Sequence, residues 1–195
     1  MPRTCHTLRS PIALALARFC AGVIFLEYAS AAWADTTSMG TNQEYELKAA
    51  FVFNFAKFTE WPDLAFIDES TPIDLCVVGS TPFSSHLDAF HDKTIHGRNI
   101  NVKTLAADAD VSRCHIAYFG QSSTQYVSAT LGKLRGHGLL SIGEDQSFLH
   151  NGGLITLFIE DNKIKFRVNV AAIPQTGLKI SSKLLRLADV YHEGE

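Results

Sequence analysis

Three histidines, His86, His91 and His96, recur at five-residue intervals with Asp88 and Asp92 between them. Imidazole and carboxylate are common ligands of zinc and other transition metals. Ligands that share a helix face lie three or four residues apart, so a five-residue repeat turns these side chains away from one another. The stretch therefore reads as a solvated segment. Acyl transfer would need an activated nucleophile, and Ser80 lies near His86 while Ser141 lies near Glu144. Neither serine sits in a nucleophile-elbow pattern, so neither set makes a triad at the level of sequence. Gly79-Ser80-Thr81 follows an apolar run and precedes a helical one, where open α/β sheets often hold phosphate. The further glycines of a dinucleotide fingerprint are missing. No catalytic centre, metal or cofactor is expected.

Binding residues are easier to find. In a helix expected over Tyr45 to Trp61, Leu47, Ala50, Phe51, Phe55, Phe58 and Trp61 form an apolar arc at ~100° per residue. Asn54 falls inside that arc, where an amide must find partners or cost about 1–3 kcal/mol. It is either a satisfied structural amide or, with Trp61, part of a ligand pocket. Phe53 falls on the polar side with Glu46, Lys57 and Glu60. It is either a solitary exposed ring or an interface anchor. In the strand Lys163 to Val170, Ile164, Phe166, Val168 and Val170 face one way and Lys163, Lys165, Arg167 and Asn169 the other. That cationic row either guards a sheet edge or steers an acidic partner. Asn169 joins Asn54 and Trp61 as a pocket candidate.

The elements that position these residues emerge from the composition. The chain has 195 residues, 20 acidic and 17 basic, a net charge of −3 and 46% hydrophobic residues. This excludes a disordered acidic tail, a collagen-like repeat and a highly basic nucleic-acid binder. Arg3, Arg9 and Arg18, the apolar run Phe19 to Leu26, and Ala32-Trp33-Ala34 before Asp35 read as a cleaved secretory signal over residues 1–34. The apolar run is well short of the ~20 residues of a membrane-spanning helix. The rest has 14 Lys plus Arg against 19 Asp plus Glu, a charge of −5. Residues 35–44 read as a flexible lead-in and 45–195 as a single domain.

Pro62 ends the first helix. Ile73–Val78, His115–Phe119 and Leu139–Ile142 are apolar runs closed by Gly79, Gly120 and Gly143. Asn99–Leu105 alternates as a strand, and helical stretches are expected over Ser84–Phe90, Ser123–Leu134 and Asp145–His150. Leu154–Ile159 and Lys163–Val168 flank Asp161-Asn162 as a hairpin. A leucine-rich helix is expected from Ser181-Ser182 to about Val190. The pattern predicts a three-layer, Rossmann-like α/β sandwich with a mostly parallel sheet and a C-terminal antiparallel hairpin. Cys76 and Cys114 remain after signal removal. In an oxidising compartment an even pair is most simply a disulfide, worth about 4 kcal/mol in the chain-entropy model, the alternative being two inert buried thiols.

Asn54-Phe55-Ala56-Lys57-Phe58-Thr59-Glu60-Trp61-Pro62, Leu75-Cys76-Val77-Val78-Gly79, Cys114-His115-Ile116, Ile164-Lys165-Phe166-Arg167-Val168-Asn169 and Gly177-Leu178-Lys179-Ile180-Ser181-Ser182-Lys183-Leu184-Leu185 together resemble the YfiR family of bacterial exported proteins. The resemblance runs from about Tyr45 to Val190. It implies a periplasmic α/β regulator without enzymatic activity that binds the periplasmic sensor domain of a membrane-bound diguanylate cyclase and lowers cyclic di-GMP signalling. It also implies dimerisation, a Cys76–Cys114 pair, and sequestration by an outer-membrane peptidoglycan-binding lipoprotein. A second cysteine pair of the family is missing, since Gly143 to Leu157 contains no cysteine. The partner-binding residues expected on this reading are Phe53, Lys57, Glu60, Lys163, Lys165 and Arg167. The alternative function is a periplasmic small-molecule binding module. A third, a hydrolase, would have to use Ser80 or Ser141.

Overall fold

The computed structural model describes residues 40–90 and 93–192, all within one compact unit. The expected signal peptide, His91 and Asp92 lie outside the described residues. Helix α1, Thr41–Lys57, begins four residues before the expected start, so Thr41 to Glu44 of the anticipated lead-in are helical. It also stops earlier than expected. Thr59–Glu60 is instead a two-residue strand, β1.

The expected arc of α1 is rotated by about a third of a turn. Its buried residues are Tyr45, Lys48, Ala49, Val52, Phe55 and Ala56, again at helical spacing, while Leu47 and Phe58 are exposed. Phenylalanines ring this helix, so the apolar period does not select one face. The buried face also holds Lys48, a cation that the fold buries with an ionic partner.

The remaining strands are β2 (Ile73–Val78), β3 (Thr94–Ile95), β4 (Arg98–Leu105), β5 (Ile116–Phe119), β6 (Leu140–Gly143), β7 (Ile155–Glu160), β8 (Lys163–Asn169), β9 (Lys179–Ile180) and β10 (Asp189–Tyr191). Eight form one sheet in the order β10-β8-β7-β6-β5-β2-β4-β3. Strands β4, β2, β5, β6 and β7 are parallel to their neighbours in that series, and β7–β8 is the antiparallel hairpin. Asp161 and Asn162 at its turn have φ of 51° and 57°, the left-handed backbone of a tight hairpin. The expected mostly parallel α/β sheet is therefore present.

Alternation along the strands builds the three layers. On β2, Leu75 and Val77 join α1 in one core cluster, and Cys76 and Val78 join a second with Val127, Phe148 and Leu149. The helical segments between the strands are largely 3₁₀ rather than α. Pro82–Phe90 is a 3₁₀ stretch, Gln121–Tyr126 is 3₁₀ before α2 (Val127–Gly132), and Gln146–Phe148 is a single 3₁₀ turn. Phe148 explains two glycines, because a Cβ on Gly143 or Gly153 would overlap its ring.

The last expected helix is also corrected. Helix α3 (Ile173–Thr176) and helix α4 (Ser182–Leu185) are four residues each, and β10 follows. Strand β10 pairs in parallel with Arg167–Asn169, satisfying backbone groups that would be left at the sheet edge, and Tyr191 enters the second core cluster. Cys76 and Cys114 form a disulfide with Cα atoms 5.9 Å apart. No helix of the described residues is long and apolar enough to cross a membrane.

Candidate functional site

In open α/β sheets ligands often enter beyond the carboxyl ends of the strands. Here the turns after β2 and β5 fill that place themselves. The amide of Ser80 donates to Ser122 Oγ at 2.8 Å, and Ser123 Oγ donates to the Gly120 carbonyl at 2.6 Å. Gly79 has φ +81°, and a Cβ there would lie 2.5 Å from Ser122 Oγ. A Cβ on Gly120 would lie 2.8 Å from the Ser80 carbonyl oxygen. Neither serine set assembles a triad: Ser141 Oγ accepts from the Leu154 amide at 3.1 Å, and His86 lies against Asn42 Oδ1 at 3.1 Å and Ser85 Oγ.

Glu144, just past β6, is held by three donors. It accepts from Lys48 Nζ at 2.9 Å and Tyr45 OH at 3.0 Å through Oε2, and from Tyr118 OH through Oε1. Lys48 also meets Glu44 at 2.5 Å and lies 4.4 Å from the Tyr45 ring centroid. Burial, reinforced by the Glu144 charge, pushes both phenols above the ordinary tyrosine range. They stay protonated and act as donors. This network locks α1 to the end of the sheet. Its one sequence signal is Glu44 four residues ahead of Lys48, an arrangement usually found on a helix surface.

The open surface lies at the other end of α1, where segments far apart in sequence meet. Strand β1 pairs antiparallel with β9, Thr59 opposite Ile180 and Glu60 opposite Lys179, and the Ser181 amide donates to the Phe58 carbonyl at 2.9 Å. Buried Thr59 caps the bend, with Oγ1 donating to the Phe55 carbonyl at 2.8 Å. His96, in the left-handed region at φ 52°, reaches the Thr59 carbonyl with Nε2 at 2.9 Å. Two adjoining clefts result, and Glu60 and His96 line both.

One cleft, of about 510 Å³, runs between Trp61, Phe66, Ile73 and Arg98, with Asp63, Asp68 and Glu69 at its rim. Trp61 Nε1 donates to the His115 carbonyl at 3.3 Å. The segment 63–71 forms a strap over this end. Phe66 lies between Arg98, 3.8 Å from its centroid, and the His115 ring, stacked at 4.6 Å. Arg98 Nη1 donates to the carbonyls of Asp68, Glu69 and Thr71. His115 accepts the Asp74 amide at Nδ1 (3.0 Å), so its Nε2–H donates to the Ala65 carbonyl (3.0 Å). Burial holds this histidine below its ordinary range. The second cleft, of about 360 Å³, is lined by Lys57, Phe58, Lys179, Ile180, Ser181 and Lys183.

The structure brings together only part of the expected set. Lys57, Glu60 and Trp61 belong to this groove. Phe53 is half-buried and meets Phe90 edge-on at 6.4 Å, with Lys57 and Lys93 near its ring; Phe58 is the exposed ring instead. Asn54 lies on the exposed side of α1, not in the apolar arc. Asn169 is buried, accepting from the Ala172 amide at 3.2 Å and donating to the Leu149 carbonyl at 3.4 Å. Lys163, Lys165 and Arg167 alternate with Ile164, Phe166 and Val168, which pack toward α1, so they lie on the other face of the sheet. Lys165 pairs with Glu160, and Arg167 sits 5.3 Å from the Phe158 ring centroid. Strand β8 is an open edge only ahead of Arg167, because β10 covers the rest. Sequence reasoning missed Lys179, Lys183 and His96 as groove residues, since nothing local marks β1 and β9 as partners.

The self-filled strand ends belong to a Rossmann-like α/β sandwich, and a charged groove lies beside its first helix. The family model described as YfiR/HmsC-like matches residues 45–189, and the chain belongs to that family. Among solved structures it is similar to a conserved domain protein from Vibrio cholerae O1 biovar El Tor, with a TM-score of 0.51 and 11% sequence identity. The match covers 75% of this chain and 59% of that one, so the chain spans less than two thirds of its length, and the likeness concerns the fold.

Proposed function

We infer that the protein is a periplasmic regulator of cyclic di-GMP signalling, exported through its N-terminal segment, that binds the sensor domain of an inner-membrane diguanylate cyclase and inhibits it. The observation that carries this reading is membership of the YfiR/HmsC-like family over residues 45–189. Inhibition of this kind requires differential affinity: moving a two-state sensor from 99% active to 99% inactive takes about a 10⁴-fold preference for the inactive state. The contact surface is the groove side of α1, through Lys57, Phe58 and Glu60. Lys163, Lys165 and Arg167 form a second contact on the opposite sheet face, and Phe53 supports Lys57 from below. An outer-membrane peptidoglycan-binding lipoprotein relieves inhibition by sequestering the regulator. The test compares Lys57→Glu/Phe58→Ala and Arg167→Glu for cellular cyclic di-GMP and for recovery of the cyclase in a tagged pull-down from solubilised envelope. Raised cyclic di-GMP with loss of the cyclase is expected, and unchanged values for both variants refute the placement.

The Trp61 cleft favours a second reading, a small-molecule binding module, because a cavity of about 510 Å³ beside aromatic side chains is of ligand size. Trp61 is the one tryptophan among the described residues. Saturable quenching of its fluorescence by a metabolite fraction, in a Trp33→Phe background, supports that reading, and a flat response to all fractions counts against it.

A further inference from the structure

The strap separates two cavities. On one side is the Trp61 cleft. On the other, a space of about 470 Å³ is lined by Ala65, Asp74, Arg113, His115 and His137, and Ile67 borders both. The two halves of this partition are held differently. Residues 68–71 are tied by Arg98 through three carbonyls and by the Asp68 carboxylate, which accepts from Ser70 and Thr71. Residues 63–67 receive one side-chain hydrogen bond among the described residues, from His115 Nε2 to the Ala65 carbonyl at 3.0 Å. Burial adds little there, since Leu64 is 98% and Ile67 94% exposed. What remains is the Phe66 ring, set between the same imidazole and Arg98 with Trp61 edge-on at 6.4 Å.

This latch works in one protonation state. The His115 backbone is fixed in the sheet, its amide donating to the Asp74 carbonyl and its carbonyl accepting from the Leu140 amide, both at 2.9 Å. Its side chain meets two groups of opposite kind. The Asp74 amide donates to Nδ1 at 3.0 Å, and the Ala65 carbonyl accepts from Nε2–H. A neutral imidazole, with one acceptor and one donor, satisfies both. An imidazolium has two donors and no acceptor, and turning the ring over only exchanges one N–H for the other. It must therefore leave the Asp74 amide, and Phe66 lies flat against the ring that has to move.

The charges around the ring do not rescue the imidazolium. Arg98, across the Phe66 ring, and Lys103 oppose a proton, while the Asp74 carboxylate favours one but already accepts from Lys103 and Asn101, each at 2.7 Å. Arg113 and His137 line the adjoining cavity, and Asp63, Asp68 and Glu69 stand at the rim of the Trp61 cleft.

We propose that residues 63–67 are an acid-released cover: when His115 takes up a proton, Ala65 and Phe66 come away and the two cavities become one. The cover is shut at neutral pH and opens in mild acid. Occupation of the joined space by a ligand rests on the small-molecule reading above, and the movement of the cover does not.

Amide hydrogen exchange followed by NMR on the full chain tests this, each rate being compared with its intrinsic value so that pH acts only through structure. Between about pH 7.5 and about pH 5, protection of the Asp74 and Phe66 amides is expected to fall at least ~10-fold, with the midpoint of the His115 imidazole nitrogen shifts, while the Leu140 amide keeps its protection. His115→Gln, whose side-chain amide accepts from Asp74 and donates to Ala65 at any pH, is expected to stay protected. His96→Gln and His137→Gln are expected to behave as wild type. Wild-type protection that ignores pH, a midpoint other than that of His115, or a Leu140 loss in step with Phe66 each overturns the proposal. So does an equal loss in His115→Gln, or a transition abolished by His96→Gln or His137→Gln. The wild-type measurements decide even where His115→Gln does not fold. A flat fluorescence response to metabolite fractions would dismiss the small-molecule reading and leave these exchange rates unchanged, so the two fail separately.

Discussion

Replacing Glu144 with leucine removes one acceptor that serves Lys48, Tyr45 and Tyr118 together. Lys48 would keep only Glu44 as a counter-charge, with 4% of its side chain exposed, and breaking a buried ion pair from one side costs about 3–5 kcal/mol. The Tyr118 phenol, fully buried under Phe83, would lose its acceptor at a further cost of about 1–3 kcal/mol. Partial relaxation makes about 3–5 kcal/mol the expected total. With a urea slope of roughly 1–3 kcal/mol/M, the unfolding midpoint falls by about 2 M. Lys48→Met alone leaves Glu144 with two phenol donors and costs less. The double variant Lys48→Met/Glu144→Leu loses less than the sum, because the stranded cation is gone. Equilibrium urea unfolding of the four proteins measures the cycle. A loss under ~1 kcal/mol for Glu144→Leu, or an additive cycle, would refute the view that this network fixes α1 on the sheet.

Two other perturbations probe the anchors of the strap and the second core. His115 is held below its ordinary range, so the folded state resists a proton that the unfolded chain accepts; its stabilising contribution is present above about pH 6.5 and declines as pH falls toward the folded value. Wild type is expected to lose more stability than His115→Gln between about pH 7 and pH 5, and parallel pH profiles would contradict this. Cys76→Ala/Cys114→Ala opens a link across a separation of 38 residues. It is expected to lower unfolding free energy by up to about 4 kcal/mol, and an unchanged melting curve in the double variant would refute a stabilising bridge.

Strands β2, β5 and β6 were legible because each is a short apolar run closed by a glycine, β4 because it alternates, and the hairpin because Asp161-Asn162 admits the left-handed backbone. The rotation of α1 was not legible. Its buried stripe includes a lysine whose partner, Glu144, comes 96 residues later, and no local count of apolar residues contains that pairing. Strand β10 was hidden for a related reason: Leu184, Leu185 and Leu187 propose a continuing helix, while the backbone needs of β8 decide otherwise. In the groove, Lys57, Glu60 and Trp61 could be named from a helix end and a proline. Lys179 and Lys183 could not, because the opposing wall is set by a pairing between remote segments. Asn54 and Asn169 show the converse error: Asn54, read into the apolar arc, lies on an exposed face of α1, and Asn169, read into the polar row of its strand, is buried and spends its amide on internal hydrogen bonds.

The pairing of β1 with β9 has a further consequence for the order in which the molecule becomes complete. Residues 59–60 can exist as a strand only once residues 179–180 are available, and bringing such distant segments together carries the entropy of closing most of the polypeptide. Any product that stops short of Lys179 therefore lacks one bank of the channel while still containing β2, β4, β5 and β6. The face that distinguishes this protein is a property of the finished chain, and proteolytic clipping near its tail would erase it ahead of the central sheet.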